Sequence, residues 1–140
     1  MWQRLCGAAV VAVLALSLSA PVWAQSAPKA KSKSKVVELQ QKRRDVLAQR
    51  ASLLEKQWAT GMAALESVIG AYVALLDAEL QMAKGAKERI KAHTSHLNKM
   101  RSLEAATEKG HKAGTIAKEA VLLVQAARMQ AEIDLALDQN

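Results

Sequence analysis

Glu108 to Ala136 reads EKGHKAGTIAKEAVLLVQAARMQAEIDLA, and Glu55 to Ala83 reads EKQWATGMAALESVIGAYVALLDAELQMA. Laid over one another without a gap, the two stretches superimpose Glu55, Lys56, Gly61, Ala64, Glu66 and Val68 on Glu108, Lys109, Gly114, Ala117, Glu119 and Val121. Ala74, Ala78, Glu79 and Ala83 then fall on Ala127, Ala131, Glu132 and Ala136. A gapless repeat of this length means that one supersecondary unit is used twice. In each copy a charged helical run reaches a glycine, an apolar run follows, and the segment closes on Ala-Glu. That plan is a helical hairpin whose tip is Gly61 in one copy and Gly114 in the other, where positive φ lets a helix stop and turn.

The rest of the chain fits this unit. A first helix is expected from about Val36 to Ala59, with Leu39, Val46 and Leu53 recurring every seven residues as its seam and Leu47 and Leu54 widening it. A second, from Met62 to Ala83, presents Leu65, Val68, Ile69, Tyr72, Leu75, Leu76 and Leu80, and Lys84-Gly85 stops it. The third runs from Ala86 to Glu108 on Ile90, Leu97, Met100 and Leu103. Residues 110–114 make the second tip. The fourth, from Thr115 to Leu137, is apolar around much of its girth, and Thr115 is expected as its N-cap. The reading is all-α: two tandem antiparallel hairpins, repeat 1 at 36–83 and repeat 2 at 86–137, in an up-down-up-down four-helix bundle or coiled coil. Both glycine tips then sit at one end. Basic helices alternate with acidic ones, an order that favours antiparallel neighbours.

Residues 1–24 read as a signal peptide: Arg4, an apolar run from Leu5 to Leu18, and Val22-Trp23-Ala24 before the cleavage point. The apolar run falls short of the roughly 20 residues of a spanning helix. Export is then expected, to the periplasm or into association with the outer membrane. The single cysteine, Cys6, leaves with this segment, so the exported chain relies on packing rather than disulfides. Residues 25–35, QSAPKAKSKSK, are expected to form a disordered basic linker. Lys29, Lys31, Lys33 and Lys35 would give it peripheral contact with an anionic membrane; a solvated spacer is the plainer reading. The formal net charge is +7, but nucleic acid is not an expected partner for an exported protein.

Chemistry-bearing motifs are few. There is no glycine-flanked serine elbow and no phosphate-cradling loop, so neither a catalytic site nor a cofactor is expected. His93 and His96, three residues apart with Met100 further along the same face, match the spacing of a zinc or copper site. His93 also lies between Ile90 and Leu97 on the seam, where a buried structural histidine is the simpler reading. Glu66 and Glu119 open the two apolar helices, where a carboxylate offsets the helix dipole. Their alternative role is a ring or pair of acids at the tip, facing a basic partner or filtering cations. Glu79 and Glu132 are expected to pair with Arg50, Arg101 or a neighbouring subunit. Met62, Met82, Met100 and Met129 read as core fillers. Trp58, just before the first tip, either anchors a partner or caps the end of the core.

The segment from Gly114 to Ala136 resembles the repeated hairpin of TolC-type outer-membrane efflux proteins. There a tip glycine is followed by an acid, then Val-Leu, then spaced alanines; Gly114, Glu119, Val121, Leu122, Ala127, Ala131 and Glu132 stand in those places here. Gly61, Glu66, Val68, Ala78 and Glu79 follow the pattern more loosely. Members of that family also carry membrane-spanning strands, and no alternating run of about 9–11 residues occurs in this chain. The resemblance implies a non-enzymatic periplasmic protein that meets a protein partner at its hairpin tips, possible contacts being Trp58, Gly61, Met62, Glu66, Gly114, Thr115 and Glu119. It also implies self-association, since a homotrimer would supply twelve helices. Two other readings use different residues: a holdase exposing apolar helix faces to unfolded clients, and a metal-binding protein built on His93, His96 and Met100.

Overall fold

The computed structural model describes residues 27–140, with side chains from Lys33 onward; the expected signal peptide, with Cys6, lies outside the described residues. Four α-helices follow one another: α1 (Ala27–Ala59), α2 (Leu65–Met82), α3 (Ala86–Lys112) and α4 (Lys118–Gln139). Among the described residues there is no strand, and no helix is long and apolar enough to cross a membrane.

The turns that end α1 and α3 are the same structure built twice. Gly61 and Gly114 both have φ of 75°. The Gly61 amide donates to the Trp58 carbonyl at 2.9 Å and the Met62 amide to Gln57 at 2.7 Å. Fifty-three residues on, the Gly114 amide donates to His111 at 2.9 Å and the Thr115 amide to Gly110 at 2.9 Å. These paired bonds form a Schellman motif, which satisfies the last carbonyls of a helix through one left-handed residue. Extended Ala64 and Ala117 then start α2 and α4, each without a side-chain cap. Thr115 is therefore not the N-cap of α4. It closes α3 instead, its hydroxyl donating to the Gly110 carbonyl at 2.9 Å. Residues 110–112, expected in the turn, belong to the last turn of α3.

Side-chain bonds fix the direction of each pair. Arg43 donates to Gln81 at 2.7 Å, and Tyr72 donates to Glu55, so ascending positions on α1 meet descending positions on α2. In the second pair Arg89 meets Asp138, Arg101 meets Glu132 and Glu108 meets Gln125, the same reversed order. The Tyr72–Glu55 and Gln125–Glu108 bonds are one interaction at equivalent positions of the two copies. The hairpins pack through α2 on α3, joined by Ala83-Lys84-Gly85, with a lesser approach of α2 to α4. The core runs through Leu65, Val68, Leu97, Met100, Leu103 and Val124, against which Leu54 and Trp58 of α1 are packed.

Helix α1 departs most from expectation. It begins at Ala27, so residues 27–35 are helical where a disordered linker was expected. Lysine and alanine are good helix formers, and Pro28 stands in the first turn, where no amide bond is required of it. Since Gln81 lies in the last turn of α2, the part of α1 before Arg43 runs beyond its partner. Leu39, Val46 and Leu53, expected as the seam, are exposed; Ala51 is buried, and Leu54 and Trp58 pack against the core cluster. The seven-residue spacing does mark an apolar stripe, but that stripe lies on the side of α1 away from the core. Helix α4 shows a related departure. Val121, Val124 and Ala131 are buried, whereas Leu122, Ile133 and Leu137 face solvent. Of the methionines, Met100 fills the core, but Met62 and Met129 are exposed.

Candidate functional site

Trp58, Gly61, Glu66 and Thr115 come together in one groove of about 510 Å³ across the two turns, which therefore share an end of the molecule. Ala59, Ala63, Leu65, Ile116 and Ala120 complete its lining. The Trp58 ring packs against the core cluster at its end and also borders the groove. Met62 projects from the first turn with 74% of its surface exposed. Gly114 is exposed on the second turn beside Thr115. Glu66 and Glu119 are the acids of the first turns of α2 and α4, and neither makes an ion pair with a described residue. Glu66 lines the groove and Glu119 does not.

Ile116 was not singled out from the sequence, yet it shapes the second turn. A Cβ on Gly110 would lie 2.5 Å from Ile116 Cδ1 and 2.8 Å from its Cγ1. The Ile116 carbonyl also accepts from His111 Nδ1 at 2.9 Å, which sets that nitrogen as the protonated one. The equivalent pair in the first copy is Gln57 with Ala63, large where the second is small and small where it is large. A side-by-side reading of the two copies contains this exchange.

His93 and His96 lie elsewhere, between the hairpins. His93 is buried, with Nε2 3.3 Å from an Asp138 oxygen and Nδ1 without a hydrogen-bond partner. His96 lines a groove of about 370 Å³ between α2 and α4, together with Val73, Asp77 and Asp134. Burial, then the proximity of His93, pushes the His96 imidazole below its usual pKa against the opposing pull of Asp134 and Asp77. Met100 is fully buried in the core, and among the described residues no three His, Cys, Asp or Glu side chains converge as a metal-ligand set. Of the His93–His96–Met100 candidate, the two histidines line one groove, while Met100 is separated from them in the core.

Polar contacts elsewhere bind helix to helix. Arg128 reaches Glu104 at 2.7 Å and Glu132 at 2.8 Å, and Glu132 also accepts from Arg101 at 3.1 Å. The bonds from Arg101 and then Arg128 hold the Glu132 carboxyl below the usual range. The expected Glu132–Arg101 pair is present, while Glu79 makes no ion pair with a described residue. Lys99 bridges to Glu55 at 3.3 Å and lies 5.2 Å from the centre of the Tyr72 ring, so this trio ties α1, α2 and α3. Comparison of the chain with protein-family models, curated proteins and solved structures finds no match.

Proposed function

We propose that this is an exported, non-catalytic helical-hairpin protein that acts by protein–protein contact at the end formed by its two glycine turns. The observation that carries this reading is the groove: residues 57 positions apart in sequence, Trp58 and Thr115, border one cavity, with the exposed Met62 beside it. A half-buried aromatic ring anchored in the core, with small residues around it, is the composition of an interface centre. Unpaired Glu66 on the rim favours a partner with a basic contact surface. The resemblance to the hairpin tips of TolC-type efflux proteins supports a periplasmic setting and an efflux-associated partner.

A photo-crosslinking residue in place of Met62, in producing cells, tests the reading. One dominant crosslinked partner is expected, and it should be lost in the Glu66→Lys background while helix content is retained. No crosslink, or a crosslink indifferent to Glu66→Lys, would remove the proposal. The second reading, a holdase, is favoured by a different observation, the exposed Leu39, Val46 and Leu53 on α1 and Leu122, Met129 and Ile133 on α4. It predicts crosslinks from those helices to many unfolded polypeptides and suppression of client aggregation.

A further inference from the structure

We infer that α4 of one copy receives α1 of a second copy of this chain, in the way that α2 receives α3 inside each molecule. Equivalent faces of the two repeats differ in what covers them. On α2, Ile69 and Leu80 are half-buried and Leu76 is buried. Leu76 and Leu80 border the groove whose other wall is built by α3 and α4, so the second hairpin covers this side of α2. The equivalent residues of α4 are Leu122, Met129 and Ile133, with 54%, 52% and 53% of their surface exposed. Together with Ala126 they follow a spacing of four and three, the pattern of a helix–helix seam. The opposite side of α4 is already in the core through Val121, Val124 and Ala131. A helix apolar on two sides is ordinarily buried on both. In a stack of repeats the last one carries a polar outer face if the array is to end there; α4 does not.

The occupant is identified by the same comparison. The residues of α3 that stand beside α2 include Ala92, Ser95, His96 and Lys99. Their equivalents on α1 are Leu39, Lys42, Arg43 and Val46, all exposed. So the stripe that α1 turns to solvent is the counterpart of the face with which α3 meets α2. Among the described residues α1 and α4 do not pack against one another, which leaves both faces open in one chain. Charge agrees: α1 from Lys33 carries more basic than acidic side chains, and α4 more acidic than basic. In the transferred geometry Lys42 takes the place of Ser95 opposite Glu132, the counterpart of Glu79. The contact uses different surfaces on the two copies and is therefore heterologous, growing head to tail until it closes or extends.

Light scattering on the purified chain after size exclusion tests this, with far-UV circular dichroism to show that each variant keeps its helices. The wild-type chain is expected to run above monomer mass. Leu39→Asp/Val46→Asp and Met129→Lys/Ile133→Lys should each reduce self-association to monomer, because each pair removes one of the two faces from exposed positions. Mixed, these two variants should form a one-to-one dimer, since the intact α4 of the first accepts the intact α1 of the second. Should either pair unfold the chain, Val46→Asp alone and Leu122→Lys alone replace them. A monomeric wild type, an α1 variant that still self-associates, or a mixture that stays monomeric would overturn the inference.

Discussion

Replacing Gly110 with alanine should lower stability in the natural chain and raise it once Ile116 is also alanine. The added Cβ would stand 2.5 Å from Ile116 Cδ1, 2.8 Å from its Cγ1 and 3.3 Å from Thr115 Oγ1, so the isoleucine must move out of its place against α3. Overpacking of this kind costs about 1–3 kcal/mol. Alanine in place of glycine within a helix returns up to about 1 kcal/mol. The net expectation for Gly110→Ala is a loss of roughly 0–2 kcal/mol, the difference between those two effects. With Ile116→Ala in place the isoleucine clash is gone and only the 3.3 Å approach to Thr115 Oγ1 opposes the helix gain, leaving up to about 1 kcal/mol of added stability. The sign reversal is the signature, and it amounts to a coupling of about 1–3 kcal/mol in a double-mutant cycle. Urea titration of the four proteins, followed by far-UV circular dichroism, supplies the four free energies. Equal effects of Gly110→Ala in both backgrounds would refute the packing argument and the size exchange with Gln57 and Ala63 that it explains.

Tyr72→Phe should cost about 1.5–3 kcal/mol, the value of a hydrogen bond to a charged group, and chemical denaturation at neutral pH measures it. Burial, reinforced by the bond to Glu55 and the charge of that carboxylate, raises the Tyr72 phenol well above its ordinary value of 10.0. The unfolded phenol thus ionises first: the contribution is complete below about pH 10 and is lost as pH rises beyond it, a loss that should be absent in Tyr72→Phe. His96 has the opposite dependence. Its folded pKa lies below the ordinary value, so its contribution is present above about pH 6.5 and is lost as pH falls and the unfolded imidazole takes up a proton. His96→Gln should accordingly flatten the fall in melting temperature between neutral and mildly acidic pH; an unchanged slope would contradict this. Leu103→Ala, at a fully buried position, should cost about 2–5 kcal/mol. In the monomeric form Met129→Ala, at an exposed one, should stay within about 0.5 kcal/mol; comparable losses at the two would mean that the faces of α3 and α4 are misassigned.

The parts of this fold that were legible in the sequence are those with a local physical cause. Gly61 and Gly114 announce the turns because a left-handed residue is needed there, and Lys84-Gly85 marks the break between hairpins. Leu97, Met100 and Leu103 gave the buried face of α3 by helical spacing. Leu39, Val46 and Leu53 have equally good spacing and are exposed, since periodicity identifies an apolar stripe without saying what covers it. Residues 27–35 were misread because a basic low-complexity composition suits a solvated helix as well as a disordered tail. At the turns, Gly61, Met62, Gly114 and Thr115 could be named from the repeat alone. Ile116 and Ala63 show in the repeat only as a size exchange with Gly110 and Gln57, whose meaning depends on how closely Ile116 approaches α3. The histidine pair had a metal spacing, but the rotation of α3 sends Met100 into the core and His96 into a groove between helices.

A distance between spin labels at Met62→Cys and Thr115→Cys, with Cys6→Ser, tests the shared end most directly. The account predicts a separation well under the roughly 30 Å length of a single helix of the bundle, because both turns border one groove. A separation comparable to a full helix length would place the turns at opposite ends and contradict it.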